Sequence, residues 1–451
     1  MFKRFKVKNL IALIVAAVLL VSSMVTAPII GNTIKESIES ASKPTSSSGA
    51  LSEKDKSKPK EQLASLKEQL ASLNEQIEKD SDNPELYISR AAVLSKLQKY
   101  DEALNDYAAA IKLDPQPETY YLRALCHVLN SDNTSAYDDL KVALKSKPDD
   151  VDYLSLMADV CSATGKYEEG LGILEKLIAK DPKNALLHSM AGDACVNLSK
   201  HAKAIEYYDN ALNNYTDETK KSGVTKESIY AAKGNCYKSE EEFEKAIKEY
   251  DKSLEIAETK SVYFQRGYCY IQLGKYNEAI TDFTASIDKN YEVPISKFQR
   301  GLCYYSVGKH KEAVADFTAY ETAFPKKSDS YLYHGLSLQG LKKYDEAISF
   351  LEKSIAAGNS VGECNFNIGN CYYNQEKYTE AIPYYTKAIE SDTQVYAAYL
   401  NRGNAYLKNN KYNEAKADLK KVIDECTDKD LVDKASKSYE PIKNITIITK
   451  K

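Results

Sequence analysis

Residues 263–288 read YFQRGYCYIQLGKYNEAITDFTASID, and the spacing of small and aromatic residues in this stretch decides the fold. Tyr263, Gly267 and Tyr270 lie four and three residues apart, and Tyr276, Ala279 and Phe283 lie three and four apart. Such steps return side chains to one face of a helix, so the stretch reads as two amphipathic helices. Gly274 closes the first and Asn277 lies in the first turn of the second. The small Gly267 and Ala279 let the two backbones approach while the aromatics fill the space beside them.

The unit recurs. Ala103, Ala136, Gly170, Ala204, Ala246, Ala279, Ala313, Ala347, Ala381 and Ala415 follow one another at intervals of 33, 34, 34, 42, 33, 34, 34, 34 and 34 residues. The place of Gly267 is taken in turn by Ala91, Ala124, Ala158, Gly192, Gly234, Gly301, Gly335, Gly369 and Gly403. A period near 34 is the signature of a helical-hairpin solenoid. With Tyr263 as the fourth position, the chain resembles the tetratricopeptide repeat (TPR), whose pattern is aromatic-x2-L-G-x2-Y, then A-x3-F, then P. The terminal proline stands at Pro115, Pro148, Pro182 and Pro325. Departures are Gly170 in place of alanine, arginine at the seventh position (Arg266, Arg300, Arg402) and the lack of tryptophan.

The resemblance implies an all-α, right-handed TPR solenoid of about ten helix-turn-helix units over residues 84–428, each hairpin burying its stripe against its neighbours. The 42-residue interval places about eight extra residues at 214–226, as an extended helix, a loop or a hinge. Beyond the tenth unit, Leu431, Val432, Ala435 and Tyr439 form a stripe that stops at Pro441. Residues 429–451 are therefore expected to be a capping helix and tail.

Ahead of the repeats, residues 9–34 carry no charge. Residues 10–30 are apolar enough for a transmembrane helix, since twenty-one helical residues span roughly 31 Å. Lys3, Arg4, Lys6 and Lys8 precede this span. The positive-inside bias then gives a cytoplasmic N-terminus (1–9), a single-pass signal-anchor in the cytoplasmic membrane (10–30) and an extracytoplasmic solenoid. A cleaved signal peptide is the competing reading, with Val25-Thr26-Ala27 as the small-residue site and a secreted product. Residues 31–59 read as a disordered Ser/Lys-rich linker. Residues 60–80 contain KEQLASL twice, and Leu63, Leu66, Leu70, Leu73 and Ile77 form a heptad seam. That seam suits weak self-association through a coiled coil, or a lone helix leaning on the first repeat.

The balance of 61 basic and 65 acidic residues, with a pI near 5.9, offers no electrostatic footprint for nucleic acid. Of nine cysteines, Cys126, Cys236, Cys269, Cys303 and Cys371 share the tenth position and Cys161 and Cys195 the eleventh. They read as compact buried hydrophobes, and successive helices stand too far apart for a ladder of disulfides. Free thiols are unusual on an oxidising exterior; an anaerobic host, or a cytosol-facing solenoid, would reconcile them with the anchor. The register gives His127, His188, His201, His310 and His334 packing roles. Gly358-Asn359-Ser360-Val361-Gly362 fits the G-x-S-x-G hydrolase motif, but falls between two repeats instead of on a strand-to-helix elbow. No catalytic residue, metal ligand set or cofactor is expected.

In TPR proteins the first helix of each hairpin lines the concave face. Carried over by position, the resemblance implies a groove with aromatic contributions from Phe264, Tyr268, Phe298, Tyr305, Tyr333, Phe366 and Tyr373. Amides come from Asn367, Asn370, Asn401 and Asn404. Toward the N-terminal end the same face carries Glu85, Glu118, Asp152, Asp159 and Asp193. No lysine or arginine occupies the second, fifth or sixth position, which disfavours capture of acidic C-terminal tails. The expected function is a non-enzymatic, membrane-tethered scaffold binding protein or peptide segments and organising an extracytoplasmic assembly. Alternatives are a cell-wall glycan-binding protein or, with reversed topology, a cytosol-facing receptor or co-chaperone.

Overall fold

The computed structural model describes residues 53–445, with side chains from Leu63 onward. Over that span the chain forms twenty-three α-helices and one 3-10 turn, with no strand. Helix α1, Glu53–Lys79, is followed by ten hairpins, from Pro84–Lys96 with Tyr100–Leu113 (hairpin 1) to Val395–Lys408 with Tyr412–Glu425 (hairpin 10). The chain divides into two compact units, Met1–Ala257 and Glu258–Lys451, each holding five hairpins. Residues 10–30, and with them the expected anchor, lie outside the described residues. Among the described residues no helix is long and apolar enough to cross a membrane.

Two local devices repeat along both units. The turn inside each hairpin passes through one left-handed residue. Glycine takes it at Gly165, Gly274 and Gly308, and Gln98, Ser131, Ser199, Glu241, Lys342, Glu376 and Asn410 adopt it elsewhere. The second device is the close approach anticipated at Gly267. A Cβ added at Gly192, Gly234 or Gly369 would lie 2.5–2.7 Å from the ring of Tyr208, Tyr250 or Tyr385, sixteen residues on. Backbone and ring occupy the space that a side chain would need.

The arginines that depart from the TPR pattern have a structural use. Arg90, Arg123, Arg266, Arg300 and Arg402 each grip the aspartate sixteen residues later, Asp106, Asp139, Asp282, Asp316 and Asp418, through two hydrogen bonds of 2.6–2.9 Å. The pair joins the two helices of one hairpin in a fork geometry that lysine cannot supply. Arg300 and Arg402 also donate to Thr284 and Thr386 of the preceding hairpin, so one side chain ties three helices.

In the first unit, α1 begins at Glu53, seven residues inside the stretch expected to be a disordered linker. The second half of its leucine seam is taken up by hairpin 1. Ile77 is buried, Leu70 packs against the cluster of Leu94, Tyr107 and Leu122, and Asn74 accepts from Arg90 at 2.9 Å. Leu63 at the other end remains 45% exposed. The geometry therefore corresponds to a helix leaning on the first repeat. The insertion is neither a loop nor an extended second helix but a separate helix, Asp217–Lys221, with capping boxes at Thr216 and again at Thr225 of the following helix. Core packing continues across it, since Tyr208 and Ala211 share a cluster with Ile229 and Cys236. The division between compact units falls after hairpin 5 and not at this insertion.

The second unit ends in helix Lys429–Tyr439 and the 3-10 turn Glu440–Ile442. Asp428 caps the helix by accepting from Asp430 and Leu431. Ala435 and Ile442 are buried against Leu419 and Val422, covering the apolar face that hairpin 10 would otherwise expose.

Candidate ligand groove and cavity

Within the second unit, the first helices of successive hairpins touch one another, which puts them on the inner side of the stack. A cavity of about 540 Å³ opens among them. Its walls come from four hairpins: hairpin 7 (Val293–Ser306 and His310–Ala323), hairpin 8 (Tyr331–Gly340 and Tyr344–Ala356), hairpin 9 (Val361–Asn374 and Tyr378–Glu390) and hairpin 10. Hairpin 7 contributes Tyr305 and His310, and hairpin 8 contributes Leu336, Gln339 and Gly340. Hairpin 9 contributes Asn367, Asn370, Tyr373, Asn374 and Tyr385, and hairpin 10 adds Asn401. No aspartate, glutamate, lysine or arginine is among them.

The amides are organised. Asn370 Oδ1 accepts from Tyr385 Oη and from Asn401 Nδ2, both at 2.9 Å. Gln339 Nε2 donates to the Asn367 carbonyl at 3.3 Å, and Asn367 Nδ2 is turned back to its own helix at Glu363 O. Among the described residues, Asn370 Nδ2 and Asn401 Oδ1 form no further bond, leaving the N–H groups of one amide and the carbonyl of the other for a ligand. Burial pushes the phenols of Tyr305, Tyr373 and Tyr385 above their ordinary range. They are neutral hydroxyls at physiological pH.

Of the eleven groove positions expected from sequence, the cavity gathers Tyr305, Asn367, Asn370, Tyr373 and Asn401. Tyr333 meets Tyr305 edge-on at 5.4 Å, beside the rim. Tyr268 is 39% exposed, one repeat before hairpin 7, and Asn404 is half-buried outside the cavity. Phe264 and Phe298 are half-buried against second-helix rings, Phe264 edge-on to Phe283 and Phe298 stacked on Tyr320 at 4.8 Å. Phe366 needs correction: it is 9% exposed and packs in the core with Tyr385, Ala381 and Ala398. Its ring belongs to the core shared by hairpins 9 and 10 and not to the cavity lining.

Sequence reasoning also missed lining residues. His310, read as a packing histidine, lies at the wall, 5.9 Å from the Tyr305 ring centre. A Cβ at Gly340 would fall 2.5 Å from His310 Cδ2, so the glycine makes room for the imidazole. The signal was present as two coincident departures, histidine where tyrosine is usual and glycine on the facing helix. Leu336, Gln339, Asn374 and Tyr385 were the others.

The acidic face of the first unit is partly engaged. Glu118 pairs with Lys147, and Asp193 accepts from Tyr208 Oη at 2.6 Å. Burial raises the Asp193 carboxyl and pushes Asp159 up to about 7. Ser360 of the hydrolase-like motif is a left-handed residue between two helices, φ +46°, and lacks the strand that a nucleophile elbow requires. All nine cysteines are free, eight of them buried. Burial pushes Cys161, Cys303 and Cys371 up to about 12. Among the described residues no cluster of His, Cys, Asp or Glu could hold a metal ion.

Comparison with known proteins bears on this arrangement. Tetratricopeptide-repeat profiles match residues 84–117, 156–219, 227–260, 264–328, 328–357, 363–392 and 396–428. A profile for subunit 3 of the anaphase-promoting complex (cyclosome) matches 107–177. The chain is a tetratricopeptide-repeat protein. Human tetratricopeptide repeat protein 13 is 33% identical over 69 residues, 15% of this chain and 8% of its own length. A TPR repeat-containing protein of Methanocaldococcus jannaschii is 32% identical over 96 residues, 21% of this chain and 17% of its own. The chain thus matches less than a fifth of the length of either relative. The crystal structure of a tetratricopeptide repeat protein from Parabacteroides merdae aligns with 59% of this chain and 98% of its own, at 18% identity and a TM-score of 0.38.

Proposed function

We propose that this chain is a scaffold that holds segments of other proteins against the inner face of its second unit. The observation that carries this reading is the charge-free cavity of hairpins 7–10, in which amides and aromatic rings converge. Amides pair with peptide groups, and tyrosine rings cover side chains. In this reading residues 10–30 anchor the chain in the cytoplasmic membrane and the repeats stand outside it, organising an extracytoplasmic assembly. The uncharged span behind Lys3, Arg4, Lys6 and Lys8 supports that topology. The eight buried cysteines do not oppose it, because oxidation proceeds through an accessible thiolate. Cys161, Cys303 and Cys371, buried and pushed up to about 12, supply very little of it.

A photoactivatable cross-linker placed at Tyr268 or Asn404, on first helices, and at Glu352, on a second helix, tests the binding face. Protein adducts are expected from the first two positions only. Equal adducts from Glu352 would move the interface off the inner face. Topology is tested separately, by labelling intact cells with a membrane-impermeant amine reagent, and protected repeats would reverse it.

A further inference from the structure

The cavity is not lined by first helices alone. Its walls are first helices, but Tyr385 and His310 belong to second helices, and Tyr385 is 1% exposed. The recess therefore passes between the inner helices to the layer behind them. An extended backbone would lie along the inner face, so what enters the recess is a side chain. Its chemistry is limited by the lining. A charged side chain would lose its hydration with no counter-ion to meet it. An apolar one would strand the donor at Asn370 Nδ2 and the acceptor at Asn401 Oδ1.

The orientation of those two atoms is set by the bonds their own amides make. Asn401 Nδ2 donates to Asn370 Oδ1, and Tyr385 Oη donates to the same oxygen. Both side chains are thereby fixed in plane and orientation, with the N–H groups of Asn370 and the C=O of Asn401 left over. A primary carboxamide offers the matching acceptor and donor in a single planar group. We propose that the cavity is a socket for the side-chain carboxamide of a glutamine or asparagine in the bound segment. This rests on the protein-segment reading above and adds its selectivity.

The test uses the full-length chain and capped pentapeptides, Ala-Ala-Xaa-Ala-Ala, in which Xaa is glutamine, glutamate or methionine, three side chains of similar length. Titration followed by calorimetry or NMR is expected to rank glutamine first, with glutamate and methionine weaker by about tenfold or more. Asn370→Asp is the companion variant. An aspartate can still accept from Tyr385 and Asn401, but it replaces the spare donor with a negative charge. Glutamine affinity should fall about tenfold and a lysine pentapeptide should gain, with helicity unchanged.

Equal affinities for the three peptides, or no glutamine binding up to about 5 mM, would overturn the socket. Either result would leave the cross-linking result at Tyr268 to stand by itself. Loss of those cross-links with the glutamine preference intact would instead remove the scaffold reading and keep the socket.

Discussion

At Gly192 an added Cβ would lie 2.5 Å from Cε1 of Tyr208, a ring that is 1% exposed and anchored to Asp193 through its hydroxyl. At Gly403 the nearest atom is Cγ of Leu419 at 3.0 Å, and a leucine can shift a few tenths of an ångström. Gly192→Ala should therefore cost about 1–3 kcal/mol and Gly403→Ala distinctly less, read as urea midpoints; equal losses would refute the close-packing account. The small-residue position was legible from its period. Which copies require glycine was not, because alanine serves at Ala91 opposite Tyr107, and helix separation decides the matter. Asp159 carries a second expectation. Burial pushes its carboxyl up to about 7, well above the value of an unfolded chain near 4. The native state thus holds this proton where the unfolded state has released it. Its contribution to stability is full below about pH 4 and is lost as pH rises toward 7. Asp159→Asn should gain on the parent steadily across that range in thermal melts at stepped pH. A constant difference would show that the carboxyl is not the source.

Between elements, the fork of arginine and aspartate is the recurring connection. Arg300 and Asp316 keep side-chain exposures of only 16% and 7%, so removing one partner leaves a half-buried charge without its mate. Asp316→Ala should destabilise by about 2–4 kcal/mol, and the double replacement Arg300→Met with Asp316→Leu by less, because it removes both charges together. Denaturant midpoints of Arg300→Met, Asp316→Leu and the double variant form the cycle, and purely additive losses would deny the coupling. The arginines were visible in the sequence as departures from the repeat, but their partners were not. A period reports which residues share one helix face, whereas the aspartate sixteen positions on belongs to the other helix of the hairpin. The same gap explains the cavity. Tyr305, Asn367, Asn370, Tyr373 and Asn401 follow from first-helix register, but Tyr385 and His310 enter from second helices. Phe366 was assigned to the groove because the family pattern fixes a position and not the rotation of a ring into the core.

For the whole molecule, a repeat protein's stability is a chain of nearest-neighbour terms, so a local defect should weaken the repeats around it and fade along the sequence. The cluster containing Tyr208 runs from Tyr121 to Cys236, entirely within the first unit, while Leu338, Leu351 and Ile368 belong to a separate cluster in the second. The eight-residue insertion does not interrupt the former, since Ile229 packs into it from beyond the Asp217–Lys221 helix. Gly192→Ala should consequently lower amide-exchange protection in hairpins 3, 4 and 5, on both sides of the insertion. Protection in hairpins 8–10, where the cavity lies, should stay at the parent level. A local loss of about 1–3 kcal/mol corresponds to a fall in protection of roughly five- to hundredfold, well within reach of exchange measured by mass spectrometry. Glutamine-peptide binding by the same variant should be unchanged, since none of the socket residues lies before Tyr305. If protection fell equally in hairpins 8–10, the chain would unfold as one cooperative body, and the two compact units would not be separate in energy. A fall confined to hairpins 3 and 4 would place an energetic break at the insertion, against the continuous packing of Tyr208, Ile229 and Cys236.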